Sequence, residues 1–465
     1  MGTTEPRRRV AGRARIGWPK RPSLAGASFA VMVFSGAPLA AQQPVDSALA
    51  AAIASIRAID DHAHPLVPDH QGVPPDSDYD ALPLAAIPPF PLPARLDIND
   101  PVWASAWQAL YHYPYHDSAD AHGRQLLELK HAVFRTLGDS MPAWALDQMG
   151  TDVMIANRIS MGAGLRGPRF RWLPYDDALL FPLNTADEAA VTPDVRSLYP
   201  RESRLLRRDL ADLDLHAFPR TLDEYLARVV TPTLERQKQR GAVGIKFELA
   251  YLRPLDIGDP SRTTARAIYA LHVAGTRPSH ADYKTLEDFL FRYISREAGR
   301  LGLPVQIHCT DIAGGYYHVG GSDPLLLESV FNDSTLRGTR FILLHGGWPQ
   351  VEHTLSLLAK PNVYVDLSLM NQMLPVHTLA AVLRLWLDEY PEKVLYGSDA
   401  FADHNDDLMG WPEGGLVAAR TTRQALGVAL TAMMRDGDIS RARAVQLAQM
   451  VLRDNALAVY RLEAH

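Results

Sequence analysis

The chain of 465 residues has a single cysteine, Cys309, so no intramolecular disulfide can staple it, whatever compartment it occupies. A G-x-G-x-x-G turn is also missing, which argues against a doubly wound dinucleotide-binding sheet, and no internal repeat is visible. Basic clusters are absent beyond the first stretch of chain. The net charge is −6. Removing residues 1–41, which hold seven basic residues and one acidic residue, would take it to −12. An acidic chain of this kind is a poor partner for nucleic acid or for anionic membranes. Stability must therefore come from packing, with 47% hydrophobic residues to build a core, and from any metal the chain holds.

What is present begins with "PRRRVAGRARIGWPKRPSLAGASFAVMVFSGAPLAAQQ". It reads as a basic region, a mostly apolar region and a small-residue cleavage zone. Residues 1–41 are expected to be a cleaved signal peptide, giving a periplasmic or secreted protein with no lasting membrane partner. Residues 42–465 are expected to form one domain.

Eight short apolar runs recur along that domain, each followed by a loop and helix-patterned sequence. They lie at 56–62, 151–157, 169–175, 242–248, 304–310, 341–347, 363–369 and 394–400. Runs such as "TLDEYLARVVTPTLERQKQR" and "LPVHTLAAVLRLWLDEY" carry apolar residues at three- and four-residue spacings, the mark of amphipathic helices. Eight alternating units predict an α/β fold, a (β/α)₈ TIM barrel. Residues 65–150, rich in Pro, Asp, Tyr and Trp, form a long insertion after strand 1: a lid, an accessory subdomain or an ordered loop.

The chemistry gathers at the ends of these runs. His62 and His64 in "IDDHAHPL" are two residues apart, so on a strand they share one side, and two neutral imidazoles can bind one divalent metal. His308 ends "PVQIHCT", His345 ends "FILLHGG" and Asp399 ends "VLYGSDA". A barrel focuses such strand ends on its C-terminal mouth. Four unrelated buried polar residues would each cost several kcal/mol without partners. Lys246 and Glu248 share a face of the fourth run; either can serve as a bridging ligand, Lys246 after carboxylation, or the two can simply pair. Arg253 is a candidate for holding a substrate carboxylate or for tying down its loop. Trp348 is a candidate pocket wall or core residue, and Asp366 an acceptor for a histidine or a backbone donor. His112, His116 and His122 belong to a region without a strand end to fix them and read as solvated. His318 lies beside a Gly pair, and Cys309 reads as a small core residue.

"DDHAHP", "VQIHCTD", "LLHGGWP", "VYVDLS" and "LYGSDA", in that order over residues 56–400, resemble the amidohydrolase superfamily, in particular its amidohydrolase-related branch of hydrolases and decarboxylases. The resemblance implies that His62, His64, His308 and Asp399 hold a catalytic divalent metal, usually zinc. It further implies that His345 is either a ligand of a second ion or a polarising, proton-transferring group, leaving one or two ions open. The expected activity is metal-activated water cleaving a small amide, lactone or ester, with Asp399 moving the proton. Non-oxidative decarboxylation of a small carboxylic acid is the alternative on the same metal, and an exported barrel that binds without turnover is the alternative outside catalysis. A small-molecule substrate is expected in each case, and nothing in the sequence decides against a homo-oligomer.

Overall fold

The computed structural model describes residues 44–69, 74–82, 90–311 and 318–463; the expected signal peptide lies outside them. Val45–His465 forms one compact unit. The apolar runs become eight parallel strands: β1 Ala58–Ala63, β2 Thr151–Asn157, β3 Phe170–Leu173, β4 Ile245–Phe247, β5 Val305–Ile307, β6 Phe341–Leu343, β7 Val363–Asp366 and β8 Val394–Leu395. Regular pairing runs β1-β2-β3 and β4-β5-β6-β7-β8.

Two seams join these sheets into a ring. At the first, Val243 N donates to Trp172 O at 2.9 Å and Lys246 N to Pro174 O at 2.8 Å. At the second, Asp61 N donates to Tyr396 O at 2.9 Å and Asp399 N to His62 O at 2.8 Å. The fold is thus α/β, a (β/α)₈ barrel, and its closing seam puts the end of β1 against the end of β8. Every residue of β1, β4, β5, β6 and β8 is buried, which is why these strands read as apolar runs rather than as alternating ones.

The insertion is mostly helical and packs as a wall. Helices Pro101–Tyr111, Asp120–Leu137 and Met141–Met149 lead from it into β2. Asp100 caps the first of these, accepting from Val102 N. The insertion grips the loop that follows β8. Trp107 Nε1 donates to Leu408 O at 2.6 Å, and Tyr79 Oη donates to Asp403 Oδ1 at 2.7 Å. Lys130 Nζ meets Glu413 Oε1 at 2.8 Å, with both residues buried. Tyr111 Oη donates to the same Glu413 oxygen at 2.7 Å. No described helix is long and apolar enough to cross a membrane.

Candidate metal centre

The C-terminal ends of the strands bring together most of the residues singled out in the sequence. His62, His64, Lys246, Glu248, His308, His345 and Asp399 all line one cavity of about 840 Å³, part of it open to solvent. His62 Nε2 and His64 Nε2 lie 3.0 and 3.4 Å from the same oxygen, Asp399 Oδ1, and 3.4 Å from each other. His345 Nδ1 lies 3.7 Å from the other Asp399 oxygen. His62, His345 and Asp399 form one group of donor atoms within 4.8 Å of one another. His64, Asp80 and Glu248 form a second such group.

Each imidazole is oriented by a partner behind it. His62 Nδ1 faces Gln306 Oε1 at 3.2 Å. That amide is itself fixed, because Gln306 Nε2 donates to Asp61 O at 2.6 Å. His62 therefore carries its proton on Nδ1 and turns a lone pair on Nε2 towards Asp399. Tyr175 Oη donates to Asn157 O at 3.1 Å, so it accepts from His64 Nδ1 at 2.7 Å, and His64 also presents Nε2. Behind His345, Ser368 Oγ donates to Asp366 Oδ1 at 2.8 Å and accepts from His345 Nδ1 at 2.9 Å. Asp366 Oδ1 also takes the His345 backbone N–H at 2.7 Å, so it serves both the histidine and a backbone donor. His308 Nδ1 is 3.0 Å from His345 Nε2, and His308 Nε2 is buried without a hydrogen-bond partner.

Burial, reinforced by the nearby Lys246, holds His62 well below the usual imidazole range. Burial, with His345 beside it, does the same to His308. Burial takes His345 down to about 4. These three are neutral, as ligands must be. Burial also pulls His64 down, but Asp80 and Asp399 outweigh it and lift the group to about 9. Burial alone would raise Asp399, yet His345, His62 and His64 hold it well below the usual carboxylate range. The neutral nitrogens of His62 and His308, the latter an orphaned buried atom, and the ionised Asp399 carboxylate together fit a divalent cation, which His64 would join on losing its proton.

Three strand-end residues adopt left-handed backbone: His345 at φ 59°, Leu369 at φ 59° and Asp399 at φ 55°. Such conformations cost about 1–3 kcal/mol each and persist where the surroundings enforce them. At Asp399 the enforcement is Gln372, whose Nε2 donates to the carbonyls of Ser398 and Asp399 at 2.8 and 3.0 Å. After His345 the two glycines are required by space. A Cβ on Gly346 would lie 2.2 Å from Met370 Sδ, and one on Gly347 would lie 2.4 Å from Thr354 Oγ1.

Lys246 Nζ lies 3.4 Å from His62 Nε2 and 3.6 Å from Glu248 Oε1. Two proposed substrate contacts fall elsewhere. Arg253 is drawn away from the histidine cavity by Glu287 and Asp288, at 2.9 and 2.8 Å, and ties down its loop instead. Trp348 packs against the hydrophobic core and does not line the cavity, because the left-handed turn through Gly346 and Gly347 carries it past the mouth. Cys309 is free and fully buried, with burial pushing its thiol up. His122 pairs with Asp117 at 2.7 Å at the surface, and no described metal group includes His112, His116 or His122.

Sequence reading missed Asp80, Gln306, Tyr175 and Ser368. Asp80 sits in the insertion, where nothing in the local pattern marks it. Gln306 had a signal: it precedes His308 by two, so it shares that residue's strand face.

The amidohydrolase family model matches residues 206–462, more than half of the chain. The chain belongs to the amidohydrolase family. Over 261 residues, 54% of its length, this amidohydrolase is 23% identical to Protein fluG of Emericella nidulans, and it spans 29% of the length of that protein. Its fold is similar to that of a protein from Lactobacillus casei described as a metal-dependent hydrolase (TM-score 0.53, 16% identity, 89% of this chain and 97% of that one). It is also similar to the fold of glucuronate isomerase from Caulobacter crescentus (TM-score 0.56, 14% identity, 90% of this chain and 94% of that one).

Proposed function

We propose that the protein is a hydrolase that uses a metal-activated water to cleave a small amide, lactone or ester. The observation that carries this reading is the convergence of His62 Nε2 and His64 Nε2 on one oxygen of an ionised Asp399. In this proposal His62, His64 and Asp399 hold the ion and His308 completes the set through its unpartnered Nε2. A bound divalent ion, zinc in this reading, supplies Lewis acidity that brings the pKa of water towards neutrality.

The protein's own groups do the rest. Asp399 takes the proton from the attacking water and returns it to the leaving group. A neutral His345, with its proton committed to Ser368, has a lone pair rather than a donor at Nε2. That disfavours His345 as a group that polarises a carbonyl by donating to it, and its Nε2 lone pair already faces His308 Nδ1 at 3.0 Å. This reading accommodates one ion or two, because a second group of donors, His64, Asp80 and Glu248, lines the same cavity. A two-ion centre would be bridged by Lys246 as a carbamate or by Glu248, and native mass spectrometry of the metal-loaded protein counts the ions and detects the carbamate.

The test of reaction class is turnover of small amides, lactones and esters in ¹⁸O-labelled water. Hydrolysis fixes one solvent oxygen in the carboxylate product, whereas decarboxylation leaves its organic product unlabelled, only the released carbon dioxide exchanging with solvent. Metal-loaded protein that turns over substrate without incorporating label refutes the hydrolase reading. Export is part of the same proposal, and N-terminal sequencing of protein recovered outside the cytoplasm should find a chain starting near residue 42.

A further inference from the structure

Besides the strand-end residues, the cavity has an apolar lining: Leu82, Leu96 and Trp103 from the insertion, Leu369 from the loop after β7, and Phe401 and Met409 from the loop after β8. Several polar groups that share this lining are already engaged. Tyr79 Oη donates to Asp403, the Gln372 amide donates to the Ser398 and Asp399 carbonyls, and Trp103 Nε1 donates to Arg95 O at 2.9 Å. Among the described residues no arginine lines the cavity, and its one lysine, Lys246, is beside His62. A substrate carboxylate directed at this wall would exchange water for side chains without a cation to receive it.

Two further observations favour an apolar occupant. Leu369 keeps its side chain at the cavity despite a left-handed backbone that leucine rarely adopts, whereas a glycine there would carry no such strain. Leu92, at the cavity rim, is 53% exposed, a large apolar side chain left open to water beside an apolar space.

We propose that the substrate presents an uncharged alkyl or aryl group to this wall, with Leu369 setting the fit next to the reacting carbonyl and Leu92 receiving the far end. The proposal rests on the metal-dependent reading above and deepens it: sugar acids and dicarboxylates are disfavoured.

Calorimetric titration of the zinc-loaded full chain with hydroxamic acids tests it without relying on turnover. Zinc captures the common head group, and only the tail varies. From acetohydroxamic to hexanohydroxamic acid, affinity should rise by up to about fourfold per methylene. The half-hydroxamate of succinic acid should bind at least about tenfold more weakly than butanohydroxamic acid, because its tail carries a charge. Leu92→Ser, at an exposed position that should not disturb folding, is expected to weaken the six-carbon probe several-fold and leave the two-carbon probe unchanged. Leu369→Gly should flatten the gain over the first methylenes. Equal affinity across chain lengths, or an anionic tail bound as tightly as an alkyl one, would overturn the apolar wall and leave the metal reading standing. Failure of every hydroxamate to bind would remove the metal reading, and this proposal with it.

Discussion

At the scale of single residues, the centre depends on groups that never face the cavity's chemistry. Tyr175 Oη orients His64 through a contact of 2.7 Å to Nδ1, a nitrogen that also faces Asp80 Oδ2 at 3.3 Å. Tyr175→Phe should leave the fold intact and lower metal affinity by about 10–100-fold, the usual cost of losing such an outer partner. Chelator competition measures this, and an unchanged affinity would show that the hydrogen bond does not matter. Asp176, next to it, is buried with one oxygen accepting from Gln237 Nε2 at 2.7 Å and the other unpartnered. Burial lifts its carboxyl well above the usual range. The folded protein then keeps a proton that the unfolded chain releases at its ordinary pKa of about 4, so this residue's contribution to stability falls as pH rises above that value. Asp176→Asn should raise the melting temperature at pH 8 and change it little near pH 4. A gain that is greater in acid than in alkali would contradict this assignment. The strand-end residues His62, His64, His308, His345 and Asp399, which line one cavity, were legible in the sequence, because each interrupts an apolar run at the same end. Asp80 was not legible, because only the folded insertion brings it within 3.3 Å of His64.

At the scale of elements, the strands are short and the loops beyond them carry the chemistry. All eight strands were legible, since buried parallel strands read as short, largely apolar runs without strict alternation. The helices of the insertion were not. Pro114 and the polar stretch around it break up the pattern, and the helix Asp120–Leu137 buries only Leu126, Lys130 and Phe134. That helix nevertheless anchors the start of the helix that follows β8, Trp411–Asp436, through the buried Lys130–Glu413 pair. Breaking the pair on one side with Lys130→Met should destabilise the fold by about 3–5 kcal/mol, because Glu413 is left buried without its cation. Replacing both with apolar residues, as Lys130→Met with Glu413→Leu, should recover much of that loss. Urea unfolding of the single and double variants measures both. A single variant as stable as the parent would mean the insertion is not anchored through this pair.

At the scale of the whole molecule, barrel closure is what turns scattered residues into one site. The seam between β8 and β1 sets Asp399 N on His62 O, so a residue near the start of the domain meets one near its end. An ion bound there belongs to the folded state alone and stabilises it by mass action. Chelation should lower the melting temperature, and adding back zinc should restore it. In the His62→Ala variant both shifts should shrink. The most direct test of the account is an anomalous-difference map from crystals of the zinc-loaded protein. A peak roughly two ångströms from His62, His64 and Asp399 together is the predicted result. An ion bound elsewhere, or no ion at those three residues despite zinc in the crystal, would contradict it.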